Sequence, residues 1–80
     1  MYKATLKYLG KTHTSEGETA SDAISKLQPG LVRGVSILTV QHGDKSKEKV
    51  MPPRMGSRLF NTKGLINEVN LKSISAIFDI

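Results

Sequence analysis

The chain has 80 residues, 38% hydrophobic and 24% charged, with no cysteine and a formal net charge of +5. That length fits one domain with no room for a second core, and the composition is that of a folded chain rather than a disordered one. Without cysteine, disulfides and cysteine-based zinc sites are excluded and a reducing compartment is expected. The N-terminal MYKATLKYLGK lacks an apolar signal core, and no run reaches the roughly 18 apolar residues of a membrane span, so the expectation is a cytoplasmic protein with no membrane partner.

The first element reads as a strand: Tyr2, Ala4, Leu6 and Tyr8 alternate with Lys3, Thr5 and Lys7, one apolar face against one basic-polar face. Gly10-Lys11 offers a two-residue hairpin turn, and THTSEGE returns as an exposed edge strand whose charges would discourage edge-to-edge pairing. A helix of about three turns follows, with Thr19 as its cap and Asp22 completing a capping-box pattern. Ala20, Ala23, Ile24 and Leu27 form its apolar stripe, and Gln28-Pro29-Gly30 ends it.

GVSILTVQ, β-branched and almost continuously apolar, predicts a central strand, left through a Gly43-Asp44 turn. The return strand must stop at Pro52-Pro53, which have no N–H to donate, and SRLFN is expected to resume a short strand anchored by Leu59 and Phe60. In the last segment Gly64 weakens any helix. Alternation at Ile74, Ala76, Phe78 and Ile80 favours a short helical turn at about 62–68 and a strand at about 69–79, with one continuous helix as the alternative. The order is β-β-α-β-β-(short helical turn)-β over a single domain of residues 1–80. The predicted class is α+β, with one helix packed on an antiparallel or mixed sheet.

Nothing in this order carries catalytic chemistry. Neither a G-x-S-x-G elbow nor a phosphate-binding glycine loop occurs; Gly10-Lys11-Thr12 lacks the preceding glycine and the strand-to-helix setting. His13 and His42 read as ordinary surface histidines. The pairs His13/Glu16 and His42/Asp44 lack the third and fourth ligands of a metal site. The expectation is a non-enzyme with no catalytic residue, no metal and no cofactor.

Charge is what remains. Residues 1–30 are net +1 and residues 61–80 neutral, whereas residues 31–60 carry Arg33, Lys45, Lys47, Lys49, Arg54 and Arg58 against Asp44 and Glu48, net +4. Lys45, Lys47 and Lys49 recur every second residue, which in a strand points all three to one side. With Arg54 and Arg58 they form a candidate nucleic-acid surface that would follow a phosphate backbone and release counterions. Lys3 and Lys7 extend the patch if their face of the first strand is not covered by the helix. The competing reading is a solvated loop, partly neutralised by Asp44 and Glu48. Only Tyr2, Tyr8, Phe60 and Phe78 are aromatic. Core packing suits both tyrosines, so backbone contact to duplex DNA or structured RNA fits better than base stacking. MPPRM suggests a second use: Met51, Pro52, Pro53 and Met55 as a stiff, adaptable surface for an acidic protein partner or a second copy of the chain.

The stretches KATLKYLGKTHTSEGETASDAISKL and ILTVQHG…KVMPPRMGSRLFN resemble small proteins of unassigned function encoded in bacteriophage and prophage genomes. The resemblance covers most of the chain. It implies an origin in a phage or mobile element and a bacterial cytoplasm, and it carries over no functional residue. The functional expectation is a small basic accessory protein that binds DNA or RNA. The alternative is a protein-interaction module, a modulator of a host complex or a minor structural subunit, using residues 50–55 and the edge strand.

Overall fold

The first strand, β1 (Tyr2–Tyr8), is central: it pairs antiparallel with β2 (Lys11–Gly17) on one side and with β3 (Ser36–His42) on the other. The computed structural model describes residues 1–30, 32–61, 63 and 66–78. β4 (Lys45–Met51) pairs antiparallel with β3 and completes a four-stranded sheet of order β2-β1-β3-β4. Three helices, α1 (Ala20–Ser25), α2 (Pro53–Leu59) and α3 (Glu68–Ser75), cover one face, and a 3-10 turn at Ala76–Phe78 ends the described chain. The fold is therefore α+β, with an antiparallel sheet carrying its described helices on one side.

Register decides which side chains share a face. Ala4, Leu6, Leu38 and Val40 stand on the helix side and are wholly buried under Ile24, Leu59, Phe60 and Phe78. Each buried phenylalanine contributes about 3 kcal/mol through the apolar surface it removes from water. The opposite face is open, with rows Glu16–Lys3–Gln41–Ser46, Thr14–Thr5–Thr39–Glu48 and Thr12–Lys7–Ile37–Val50 running across the four strands.

Both hairpins turn through left-handed backbone. The first turn is Leu9-Gly10 rather than Gly10-Lys11, because Lys11 already pairs with Tyr8; Leu9 has φ 51 and Gly10 φ 73. Two successive positive φ values are the signature of a type I′ turn, which matches the twist of the flanking strands. The second turn is Gly43-Asp44, as the sequence indicates, with Gly43 at φ 65.

α1 is capped by Thr19, whose hydroxyl accepts from the Asp22 N–H at 3.0 Å. Asp22 Oδ2 accepts from the Glu18 N–H at 3.2 Å, one residue earlier than a capping box would have it, and pairs with Lys26 at 3.3 Å. The helix spans six residues, not three turns. Its end tightens into i→i−3 hydrogen bonds from the Lys26 and Leu27 N–H groups, so Leu27 still reaches the core.

The C-terminal third departs most from expectation. PRMGSRL is helix α2, not strand: Pro52 is its cap residue and Pro53 its first residue, where a proline's fixed φ and missing N–H cost nothing. Phe60 then makes an isolated antiparallel bridge with Ile66. The expected helical turn at 62–68 falls partly on residues 62, 64 and 65, outside the described residues. Beyond it the described chain is helical where a strand was favoured. Asn67 caps α3, its side-chain oxygen accepting from the Val69 N–H at 3.1 Å, and Leu71, Ile74 and Phe78 are buried at i, i+3 and i+7 while Val69 is 85% exposed. A strand would have put Phe78 and Leu71 on opposite faces; the helical period brings both inward. Asp79 and Ile80 lie outside the described residues.

Candidate nucleic-acid interface

β4 is an outer strand of the sheet, and its alternation sorts its charges by face. Lys49 lies opposite Leu38, Lys47 opposite Val40 and Lys45 opposite His42, which places all three lysines on the helix side. Successive ammonium stems are about 7 Å apart along the strand. Their apolar stems run beside the buried Val40 and Leu38 while the charged ends stay exposed.

Glu48 stands on the other face. It lies opposite Thr39, whose hydroxyl donates to Glu48 Oε1 at 3.5 Å. The sheet therefore separates the carboxylate from the lysines that it flanks in sequence. Among the described residues, none of Lys45, Lys47, Lys49, Arg54 and Arg58 forms an ion pair.

Arg54 and Arg58 lie one turn apart on α2, in the same helix layer. They border a groove of about 500 Å³ between α2 and α3, floored by Pro52, Met55, Ile74 and Ile77. The Asn70 amide on α3 donates to the Arg58 carbonyl at 3.1 Å and ties the two walls together. The basic stretch thus forms two adjoining structures, a lysine row on a strand and an arginine pair on a groove.

Lys3 and Lys7 do not join them. Their face of β1 is free of helices, as the extension required, but it is the face opposite the lysine row; Lys3 lies between Glu16 and Gln41, and Lys7 between Thr12 and Ile37. Of the residues marked for a protein surface, Pro52 and Pro53 are exposed and Met55 is half-buried, whereas Met51 is wholly buried and belongs to the core. Met51 faces inward because it shares a face with Ser36 and Leu38.

The tyrosines pack rather than project. Tyr8 accepts a hydrogen bond at its hydroxyl from the Arg33 N–H at 2.9 Å, and Tyr2 rests against the core with its ring stacked on His42. His42 is thus exposed but paired with an aromatic ring, a relationship hidden in the sequence because it depends on the pairing of β1 with β3. His13 is half-buried on β2, opposite Leu6. Among the described residues no three of His, Cys, Asp or Glu gather as a metal cluster, and no helix is long and apolar enough to cross a membrane. No protein-family model, curated protein or solved structure matches this chain.

Proposed function

We propose that the chain is a small non-enzymatic binding domain that grips nucleic-acid phosphates through Lys45, Lys47 and Lys49, with Arg54 and Arg58 extending the contact. The observation that carries this reading is the separation of Glu48 from the lysines by the sheet. A row of cations with no ion pair among the described residues is a cost that the free protein bears and that a polyanion relieves, whereas an interleaved carboxylate would have cancelled it. The contacts are to backbone, so binding is independent of sequence. The resemblance to phage and prophage proteins supports a bacterial cytoplasmic setting.

Fluorescence polarisation with labelled duplex DNA, single-stranded DNA and RNA tests this. Submicromolar binding is expected at low salt, falling with a log–log slope of about four if five phosphates are neutralised and nearer three if only the lysines act. Lys45→Glu/Lys47→Glu/Lys49→Glu abolishes it. Absence of binding at low salt, or binding that survives the triple reversal, overturns the assignment.

The α2/α3 groove favours a second reading, an acidic protein partner. Its apolar floor between two arginines that form no ion pair among the described residues suits a peptide with carboxylates beside an apolar anchor. Capture of such a partner that survives nuclease treatment and is lost on Arg54→Glu/Arg58→Glu would favour this reading over the first.

A further inference from the structure

Among the described residues the two edge strands of the sheet, β2 and β4, pair with no further strand, and they are unlike. β4 carries Lys45, Lys47 and Lys49 in succession on one face and meets Pro52 at its end. Pairing β4 with another β4 about Lys47 sets Lys47 against Lys47 and Lys45 against Lys49; pairing about Glu48 sets Lys47 against Lys49 and Glu48 against Glu48. Like charges directly opposite destabilise an antiparallel pair, so this edge repels its own kind.

β2 is less guarded than its sequence suggests, because the charges expected to discourage edge pairing stand near its ends and leave its middle uncharged. All seven of its residues pair with β1 without a bulge, it contains no proline, and Lys11 and Glu16, near its ends, are its only charged residues. Thr12, Thr14 and Glu16 are exposed, and the middle of the strand is threonine and serine around His13. An edge strand of that length with an uncharged middle is a template for another strand.

We propose that β2 joins two copies of this chain, antiparallel about a two-fold axis at Thr14, continuing the sheet to eight strands. In that register Thr14 meets Thr14 of the second copy, Thr12 meets Glu16, His13 meets Ser15 and Lys11 meets Gly17. Nothing of like charge is opposed, and the exposed hydroxyls of Thr12 and Thr14 face hydrogen-bonding partners, while the Ser15 hydroxyl donates to the Ala23 carbonyl of α1 and can only accept from His13. A two-fold axis perpendicular to the sheet preserves its faces, so the helices of both copies lie on one side. The net charge of +5 per chain opposes this union only weakly. The two lysine rows fall on the outermost strands, seven strand spacings or roughly 34 Å apart, several Debye lengths at physiological salt. The pairing is independent of the nucleic-acid reading and stands or falls separately.

Sedimentation equilibrium of the full chain without nucleic acid tests it. The expected mass at high concentration is twice the 8.7 kDa of one chain. Thr14→Lys, which opposes two ammonium groups at the axis, returns the chain to monomer, while Lys47→Glu on the far edge leaves the dimer intact; circular dichroism confirms that each variant is folded. Because the chain has no cysteine, Thr14→Cys provides a readout that leaves the charge of the edge unchanged. A short bismaleimide links Thr14→Cys chains into covalent dimers and leaves Lys47→Cys chains single. A monomer at every concentration, a dimer that survives Thr14→Lys, or cross-linking confined to Lys47→Cys overturns the proposal.

Discussion

The rings of Tyr2 and His42 stack across neighbouring strands, their centroids 3.9 Å apart and their planes within 12° of parallel. The two residues are register partners at one end of the β1–β3 pair, and Lys45 is the next residue along the same row. Cross-strand aromatic pairs of this kind are worth about 0.5–1 kcal/mol beyond the area they bury. A double-mutant cycle with Tyr2→Leu and His42→Ala, read by urea denaturation, is expected to give a coupling energy of that size. Additive effects would show that the stack contributes nothing to stability.

Leu9 holds a left-handed backbone at φ 51 with its side chain 80% exposed. A leucine in that conformation costs about 1–2 kcal/mol, a cost that asparagine largely avoids. Leu9→Asn is expected to raise the thermal midpoint by about 4 °C or more, the shift that 1 kcal/mol produces in a domain of this size. A lower midpoint would mean that the exposed leucine makes a stabilising contact outside this fold.

Ser36 is buried at the start of β3 with a hydroxyl that has no hydrogen-bond partner among the described residues, close beneath Gly56 of α2. An unsatisfied buried hydroxyl costs about 1–3 kcal/mol, and alanine keeps the shape without the polar atom. Ser36→Ala is therefore expected to leave stability unchanged or to raise it by about 1 kcal/mol in guanidinium unfolding. A loss of that size would reveal a bond to the hydroxyl, through bound water for example.

Lys3→Glu/Lys7→Glu changes net charge by the same amount as reversing two residues of the β4 row, but on the open face. If binding follows the row, this variant keeps the wild-type salt slope, while Lys47→Glu/Lys49→Glu lowers it by about two. Equal losses from the two pairs would point to overall charge as the cause.

What the letters disclosed and what they hid divides along physical lines. Tyr2 to Tyr8 and the GVSILTVQ strand were legible because period-two alternation and β-branched runs are local signals. The turn at Gly43-Asp44 and the cap at Thr19 were local as well. Pro53 both stops strand pairing and starts a helix, and the coincidental alternation at Ile74, Ala76 and Phe78 imitates a strand where the Asn67 cap and the spacing of Leu71, Ile74 and Phe78 make a helix. The site was harder. Alternation within one strand put Lys45, Lys47 and Lys49 together, but the relation of Lys3 and Lys7 to them depends on the pairing of β1 with β3 and of β3 with β4. Whether residues on different strands share a face is a property of register, which no single strand encodes.

Met51 gains a second meaning from that register. It is the last residue of β4, wholly buried opposite Ser36, and it carries the same parity as the three lysines. Its neighbour Val50 is 57% exposed on the open face. A slip of β4 by one position would lift Met51 out, turn Val50 and Glu48 toward the core and send the lysines to the far side. The hydrophobic anchor at the end of the strand thus acts as a key for the polarity of the whole strand. The Gly43-Asp44 turn can then vary in composition, but its length cannot change by one residue without sending the lysine row to the open face and bringing Glu48 and Val50 to the helix side.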